Sequence, residues 1–271
     1  MSRSYLFIPG NTPSMLQNLD VFESDAVIID FEDSVLTYDK DAARILVKEF
    51  LSKFNFKETE IYIRINDSES PFFKEDVLLT NDLPISGYVL PKALPNSIDQ
   101  LLEITDKLII PIIESPMAVL RLEDIASKKQ IQGLLLGAED LTKELNINRT
   151  LEGNEILYTR SKIVLTCNAY NIDSIDTPFT DKEDEEGIYT DSKNARNLGF
   201  TSKSCIHPSH VDAINETFSP SPEDIKQSLR IIKKAENNTK GAFSLDGKMV
   251  DVPIIEKAKK VIEEAKKYNL L

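Results

Sequence analysis

Several features that would assign a protein to a class at once are scarce in this sequence. Only two of its 271 residues are cysteines, Cys167 and Cys205, and their spacing matches no metal-binding motif. We therefore expect both thiols to be reduced and buried in the core. No apolar run approaches the length of a membrane span, and the apolar stretch before Pro9 is too short for a secretory signal. These absences argue against a membrane protein and predict a cytoplasmic location.

Positive charge is also in short supply. Acidic residues outnumber basic ones by 45 to 32, which gives a formal net charge of −13. A general nucleic-acid-binding protein would present a basic face, so the composition argues against that class. The excess negative charge repels anionic substrates at long range. Any such substrate would need a local cation, either a bound metal or a placed arginine or lysine.

Repeats, low-complexity tracts and the G-x-G-x-x-G turn of dinucleotide-binding proteins are absent as well. What the chain does contain is an alternation of short apolar runs with amphipathic stretches. The runs that predict strands lie at 4–10, 26–30, 61–65, 87–92, 108–113, 133–137, 172–176 and 202–208. Eight strands that alternate with helices in a chain of this length favour an α/β fold, the (β/α)8 TIM barrel. An open doubly wound sheet is the alternative.

The chain continues beyond the predicted barrel. We expect a barrel domain at 1–237 and a C-terminal extension at 238–271. Within the extension, "DG" at 246–247 lies between "AFSL" and "KMVDV", a pattern that predicts a β-hairpin, and a helical stretch follows it. A hairpin outside a closed barrel has little core of its own, so it needs a surface to cover.

Charged and polar residues follow the predicted strands. In a TIM barrel the carboxyl ends of all strands open onto one rim, where active sites lie. The residues at these ends are Asn11, Glu32 with Asp33, Arg64, Lys92, Glu114, Glu139 with Asp140, Asp176 and His207. Acids at such positions could simply begin the next helices, because carboxylates favour helix amino termini.

A bound cation explains this collection of acids better than helix capping does. Five carboxylates at three strand ends, with an arginine opposite, would repel one another unless a cation lay among them. Carboxylate ligands without clustered histidine or cysteine favour Mg²⁺, or Mn²⁺, over zinc. The sequence therefore predicts a divalent metal site at the carboxyl rim.

Eight motifs in a fixed order resemble those of one family. They are "RSYLFIPGNTPSML", "VIIDFEDSV", "IYIRIND", "PIIESPMAV", "GAEDLTKEL", "GNEILYTRSKI", "SKSCIHPSHVDAINETFSP" and "GAFSLDGKMVDVPIIEKA". Over about residues 3–260 the chain resembles the citrate lyase beta subunit and its stand-alone relatives in the HpcH/HpaI aldolase group. The resemblance implies a TIM barrel that uses Mg²⁺ to cleave a 3-hydroxyacyl thioester, of the citryl, malyl or citramalyl kind, into a 2-oxoacid and an acyl thioester. Alternatives on the same substrates are hydrolysis or condensation, or a non-catalytic subunit of a complex.

The resemblance also implies roles for particular residues. Glu114 and Asp140 look like the direct metal ligands, and Arg64 would clamp a substrate carboxylate through two parallel hydrogen bonds. The outer acids that hold waters on the metal would be Glu32, Asp33 and Glu139. Asp251 would protonate the thioester enolate. The tail that carries Asp251 would cap an active site, often that of the next protomer in a homotrimer.

The remaining candidates have two interpretations each. Lys92 and Arg3 would contact the phosphates of the thioester carrier, which is either coenzyme A or an acyl-carrier protein, and Lys203 is a further candidate. The alternative for all three is an ordinary ion pair. His207 and His210 are expected to be structural, and the acidic run at 180–187 is expected to be a solvated loop that begins a helix.

Overall fold

The computed structural model describes residues 2–54, 56, 59–236 and 242–271. These residues form two compact units, a first that ends at Asn215 and a second that comprises Glu216–Leu271. The predicted domain boundary between residues 237 and 238 lies outside the described residues. Along the described chain, no helix is both long and apolar enough to cross a bilayer.

The first unit is a closed barrel of eight parallel strands. The strands are β1 (Ser4–Pro9), β2 (Ala26–Asp30), β3 (Glu60–Arg64), β4 (Gly87–Leu90), β5 (Leu108–Ile113), β6 (Gly133–Leu136), β7 (Asp173–Asp176) and β8 (Ser202–Cys205). Each strand pairs with the next in sequence, and β8 closes the barrel on β1. The predicted TIM barrel is therefore confirmed, and the open sheet is excluded because an open sheet would leave β1 and β8 unpaired.

Helices connect and cover the strands. They are α1 (Pro13–Gln17), α2 (Lys40–Leu51), α3 (Phe73–Thr80), α4 (Pro95–Leu102), α5 (Pro116–Leu120), α6 (Leu122–Ala126), α7 (Ala138–Glu144), α8 (Leu157–Tyr170), α9 (Glu185–Leu198) and α10 (Val211–Phe218). Short 3-10 turns occupy Leu19–Phe22, Thr37–Asp39, Asn154–Ile156 and Pro208–His210. Ser115 begins α5 by accepting a hydrogen bond from the Ala118 amide. Asp184 begins α9 in the same way, so the acidic run at 180–187 is a loop that leads into a helix.

The barrel interior is filled by alternate residues of the strands, because successive side chains of a strand point to opposite faces. The buried interior cluster comprises Tyr5, Ala26, Ile28, Tyr62, Val89, Ile110, Ile112, Leu135 and Ile175, with Phe7 partly buried against it. The ring centroids of Tyr5 and Tyr62 lie 5.9 Å apart within this cluster. The next inward position of each strand lies one layer closer to the carboxyl rim.

The second unit is built from two helices and a hairpin. Helix α11 (Pro222–Glu236) packs on α12 (Val252–Lys267), and β9 (Phe243–Leu245) pairs antiparallel with β10 (Lys248–Val250). The predicted hairpin turn is confirmed, with positive φ at both Asp246 and Gly247, as a two-residue type I′ turn requires. Its small core comprises Ile231, Leu245, Val250 and Ala258.

Candidate active site

The candidate site is the charged layer directly above the apolar interior of the barrel. Asp30 lies two residues beyond Ile28, Arg64 two beyond Tyr62, and Glu114 two beyond Ile112, so all three share the inward face. Gly137 likewise lies two residues beyond Leu135. The alternation that builds the core thus also turns these charged side chains into the mouth of the barrel.

These residues line a cavity of about 420 Å³ at the carboxyl end of the strands. Its lining combines apolar side chains with acids and one arginine. The lining residues are Phe7, Ile8, Pro9, Asp30, Asp33, Ser34, Arg64, Ile112, Glu114, Leu135, Leu136, Gly137, Ala138, Glu139, Asp140, Thr177, Pro178 and Ile206. A cavity of this size holds a small organic acid or the acyl end of a larger ligand.

Arg64 lies among the acids that the sequence predicted and beside one that it did not. Its Nε donates to Asp30 Oδ1 at 2.6 Å and its Nη2 to Asp30 Oδ2 at 2.7 Å. Its Nη1 lies 3.1 Å from Glu32 Oε2 and 3.8 Å from Asp33 Oδ2. Burial alone would raise the pKa of Asp30, but the hydrogen bonds and charge of Arg64 lower it overall. Asp30, the last residue of β2, was not among the residues predicted from the sequence.

Glu32 is a buried acid between two cations. Its carboxylate contacts Arg64 and also Lys92, whose Nζ lies 3.3 Å from Glu32 Oε1 and 3.2 Å from Asp67 Oδ2. Burial raises the pKa of Glu32, and the neighbouring Asp33 adds to this, although both cations oppose it. Lys92 therefore forms ion pairs with two acids. This is the second of its two interpretations from the sequence, the first being a contact with a phosphate of the thioester carrier.

Glu114 is a buried acid of the cavity that directly follows β5. Its side chain accepts a hydrogen bond from the backbone amide of Lys92, a residue held in the left-handed region at φ 48°. Burial raises the pKa of Glu114 to about 7, and the charges of Asp140 and Glu32 add to the rise. Gly137 makes room for it, since a Cβ there would lie 2.8 Å from Glu114 Oε2.

Asp140 and Glu139 lie in the first turn of α7, on the rim of the same cavity. Both side chains are about half exposed. Asp140 lies 3.8 Å from the Lys143 ammonium, and Glu139 is ion-paired with Arg149 at 3.0 Å. The interpretation of these acids as helix-starting residues is compatible with this position, because carboxylates in a first helical turn are favourable.

The donor set fits a hard divalent cation. Within the described ranges, no cluster of three or more acids, histidines and cysteines is arranged as a complete metal site. Two carboxylates that line the same cavity, those of Glu114 and Asp140, suit Mg²⁺, which keeps several water or substrate oxygens in its octahedral shell. A cation there would also offset the burial, and the nearby charges of Asp140 and Glu32, that together raise the pKa of Glu114.

Several residues of the first unit that the sequence singled out do not line this cavity. Arg3 precedes β1 and pairs with Asp25, which precedes β2, so both lie at the opposite, amino-terminal rim. Asp176 and Lys203 are register partners whose side chains point outward from the barrel, where Lys203 is buried 2.7 Å from Asp176. The exposed His207 begins the turn at Pro208–His210, and His210 is buried beside Phe179. Asp251 belongs to the second unit, where its side chain accepts a hydrogen bond from the Ile254 amide and begins α12.

Known proteins resemble the chain along nearly its whole length. It is 31% identical to the citrate lyase subunit beta of Leuconostoc mesenteroides subsp. cremoris, over all of this chain and 95% of that protein. It is 28% identical to human mitochondrial citramalyl-CoA lyase, over 96% of this chain and 84% of that protein. The fold matches the crystal structure of protein CitE from Mycobacterium tuberculosis in complex with magnesium, acetoacetate and coenzyme A. That match has a TM-score of 0.83 at 26% identity, and it covers 97% of this chain and 98% of that one. Residues 3–208 match the HpcH/HpaI aldolase/citrate lyase family, and the chain therefore belongs to that family.

Proposed function

We propose that the protein is a Mg²⁺-dependent carbon–carbon lyase that cleaves a 3-hydroxyacyl thioester into a 2-oxoacid and an acyl thioester. The observation that carries this proposal is that Arg64, Glu114 and Asp140 line one cavity at the mouth of the barrel. An arginine can hold a carboxylate, and the acids can hold a cation beside it. The relatives named as citrate lyase subunits and citramalyl-CoA lyases carry out reactions of this class.

Different residues of the cavity have different roles in the proposed reaction. Glu114 and Asp140 would hold the metal, and Glu32, Asp33 and Glu139 would complete the ring of negative charge around it. When bound, Mg²⁺ supplies Lewis acidity that makes a hydroxyl proton easier to lose. Arg64 orients the carboxylate that leaves with the 2-oxoacid.

The proposed reaction also requires that water be excluded from the site and that the acyl thioester product receive a proton. The apolar wall, with Phe7 and Ile206 among its members, keeps water from the reacting thioester. After the carbon–carbon bond breaks, the methylene carbon of the acyl thioester needs a proton, and we assign its delivery to the Asp251 carboxyl group.

One experiment tests the reaction class. Purified protein is incubated with citryl, malyl and citramalyl thioesters and Mg²⁺, and the products are identified. A lyase yields a 2-oxoacid and an acyl thioester, a hydrolase yields a hydroxyacid and a free thiol, and a non-catalytic subunit yields neither. Glu114→Gln and Asp140→Asn should each weaken Mg²⁺ binding and nearly abolish cleavage, and full activity in excess chelator would exclude the metal.

The carrier, the assembly and the location are further parts of the proposal. A coenzyme A thioester is the expected substrate form, as the relatives with coenzyme A suggest, and an acyl-carrier protein is the alternative carrier. We propose a homo-oligomer, with a trimer favoured, in which the tail carrying Asp251 serves a neighbouring active site. A cytoplasmic location agrees with two buried cysteines that form no disulfide, Cys167 and Cys205.

A further inference from the structure

The Asp30 carboxylate has four hydrogen-bond donors around it. It is 2% exposed, and Oδ1 accepts from Arg64 Nε at 2.6 Å and from the Glu32 amide at 2.8 Å. Oδ2 accepts from Arg64 Nη2 at 2.7 Å and from the Ser34 amide at 3.0 Å. We infer that Asp30 is a positioning residue that determines which edge of Arg64 faces the substrate. This inference rests on the proposed function, in which Arg64 holds a substrate carboxylate.

A guanidinium group has two edges that can grip a carboxylate. One edge is formed by Nε and Nη2, and the other by Nη1 and Nη2, in a single rigid plane. Asp30 occupies the first edge completely. Only the second edge is then available, and Glu32 and Asp33 face its Nη1 nitrogen. The Arg64 Cζ lies over the Phe7 ring, 5.2 Å from the ring centroid.

The same carboxylate also fixes the loop that carries the outer acids. By accepting from the amides of Glu32 and Ser34, Asp30 ties residues 32–34 to the arginine. Asp30 therefore holds in place both the guanidinium edge that would bind the substrate carboxylate and the acids beside that edge. Loss of Asp30 would let the guanidinium turn, and either edge could then meet a ligand.

A second buried pair in the barrel serves as a matched control. Asp176 is the last residue of β7, as Asp30 is of β2, and it accepts from Arg160 Nε at 2.9 Å and from Nη2 at 2.8 Å. Its side chain points outward rather than into the cavity. Asp176→Asn therefore reports the general cost of removing a strand-end aspartate from a buried arginine.

The test measures how well the protein distinguishes pyruvate from pyruvamide, its uncharged isostere, in the presence of Mg²⁺. The wild type should bind pyruvate at least about tenfold more tightly, because only a carboxylate makes charge-assisted bonds to the guanidinium edge. Asp30→Asn should remove most of this preference, whereas Asp176→Asn should keep it within about twofold even if both variants lose similar thermal stability. Asp30→Glu retains the charge but shifts the guanidinium, so its preference should lie between those of Asp30→Asn and the wild type.

The possible outcomes separate this inference from the proposed function. Full preference for pyruvate in Asp30→Asn, or an equal loss in Asp176→Asn, overturns the positioning role, as does a wild type without any preference. If Asp30→Asn does not fold, Asp30→Glu decides, and a wild-type preference in that variant overturns the inference. A wild type that prefers pyruvate but cleaves no thioester refutes the function and leaves the role of Asp30 standing.

Discussion

At the scale of single residues, the position of Glu114 depends on the absence of a side chain at Gly137. A Cβ at this position would lie 2.6 Å from the Glu114 Cβ and 2.8 Å from the Ile112 Cγ2. Such distances force a neighbour to move, and Glu114 lines the cavity beside the glycine. A small change at Gly137 should therefore displace Glu114, a proposed metal ligand.

We predict that Gly137→Ala lowers Mg²⁺ affinity by about tenfold or more, because misplaced ligands typically cost this much. Overpacking should also cost about 1–3 kcal/mol of stability. Gly133→Ala, at the other end of β6, is the control, since its Cβ would meet the Asp173 carbonyl at 2.6 Å, far from the cavity. Calorimetric Mg²⁺ titration and thermal unfolding should show both variants destabilised but only Gly137→Ala weakened in binding. Equal Mg²⁺ affinity in the two variants would contradict the prediction.

The sequence predicted most of the residues of the site, but not their pairing. The apolar runs located the strand ends, and the charged residues predicted there lie at the carboxyl rim. These residues are Glu32, Asp33, Arg64, Glu114, Glu139 and Asp140. Asp30 was missed, since its partner depends on the register that sets it opposite Arg64. The position of Arg3 could have been predicted, because a residue before a strand must lie at the amino-terminal rim.

At the scale of elements, a buried group of charges joins two strands to two helices. Asp191 of α9 lies 2.6 Å from the Lys203 ammonium of β8 and 2.9 Å from the Arg160 guanidinium of α8. Asp176 of β7 completes the group. Burial opposes ionisation of Asp191, but the charges of Lys203 and Arg160 lower its pKa from 3.8 to about 2.

This lowered pKa predicts a pH-dependent stability. Because the folded pKa is below the unfolded one, Asp191 stabilises the fold fully above pH 4 and loses this effect as the pH falls towards 2. The stability difference between the wild type and Asp191→Asn should therefore shrink by about 2 kcal/mol between pH 6 and pH 2. Urea unfolding at several pH values measures it. The exposed Asp99→Asn should differ from the wild type by less than about 0.5 kcal/mol throughout, and a pH-independent difference for Asp191→Asn would contradict the prediction.

Asp251 begins helix α12, and we also propose that it delivers a proton in the reaction. Substitutions at this position can separate these two roles. Asparagine caps a helix as well as aspartate does but carries no transferable proton, whereas alanine does neither. Asp251→Asn should therefore keep wild-type stability and lose about 100-fold or more in cleavage rate. Asp251→Ala should lose about 1 kcal/mol of stability as well. Full activity in Asp251→Asn would show that Asp251 serves α12 alone.

The elements were more predictable than their charged contacts. Apolar runs located all eight barrel strands to within three residues at each end, and "DG" located the hairpin turn. The direction of the side chains at the ends of β7 and β8 was not deduced, although Ile175 inside the barrel requires its neighbour Asp176 to point out. The buried ion pairs of Asp191 were not predicted, because the mostly polar sequence of α9 is typical of a surface helix.

At the scale of the whole molecule, the proposed sharing of sites between subunits predicts complementation. A Glu114→Gln protein and an Asp251→Asn protein should each be inactive alone. Mixed in equal amounts under subunit exchange, they should regain about a quarter of wild-type activity, because a quarter of the barrel–tail pairings carry both groups. Exchange is followed with differently tagged subunits, and activity with the thioester assay.

A double variant, Glu114→Gln with Asp251→Asn, provides the control for this mixing. Combined with the Glu114→Gln protein it contains no intact barrel site, so it should regain nothing. Verified exchange without recovered activity in the first mixture would place Asp251 and Glu114 of one site on the same chain.

The contact between Arg64 and Glu32 has a consequence for how the protein takes up its ligand. Glu32 Oε2 lies 3.1 Å from Nη1, the one guanidinium nitrogen that Asp30 does not engage. In the proposed reaction, Glu32 would compete with the substrate carboxylate for this nitrogen. Binding of the carboxylate at Arg64 would then exchange one anion for another, so its affinity would reflect the difference between two similar contacts. The proposed 2-oxoacid product would leave readily, because the Glu32 carboxylate can take its place.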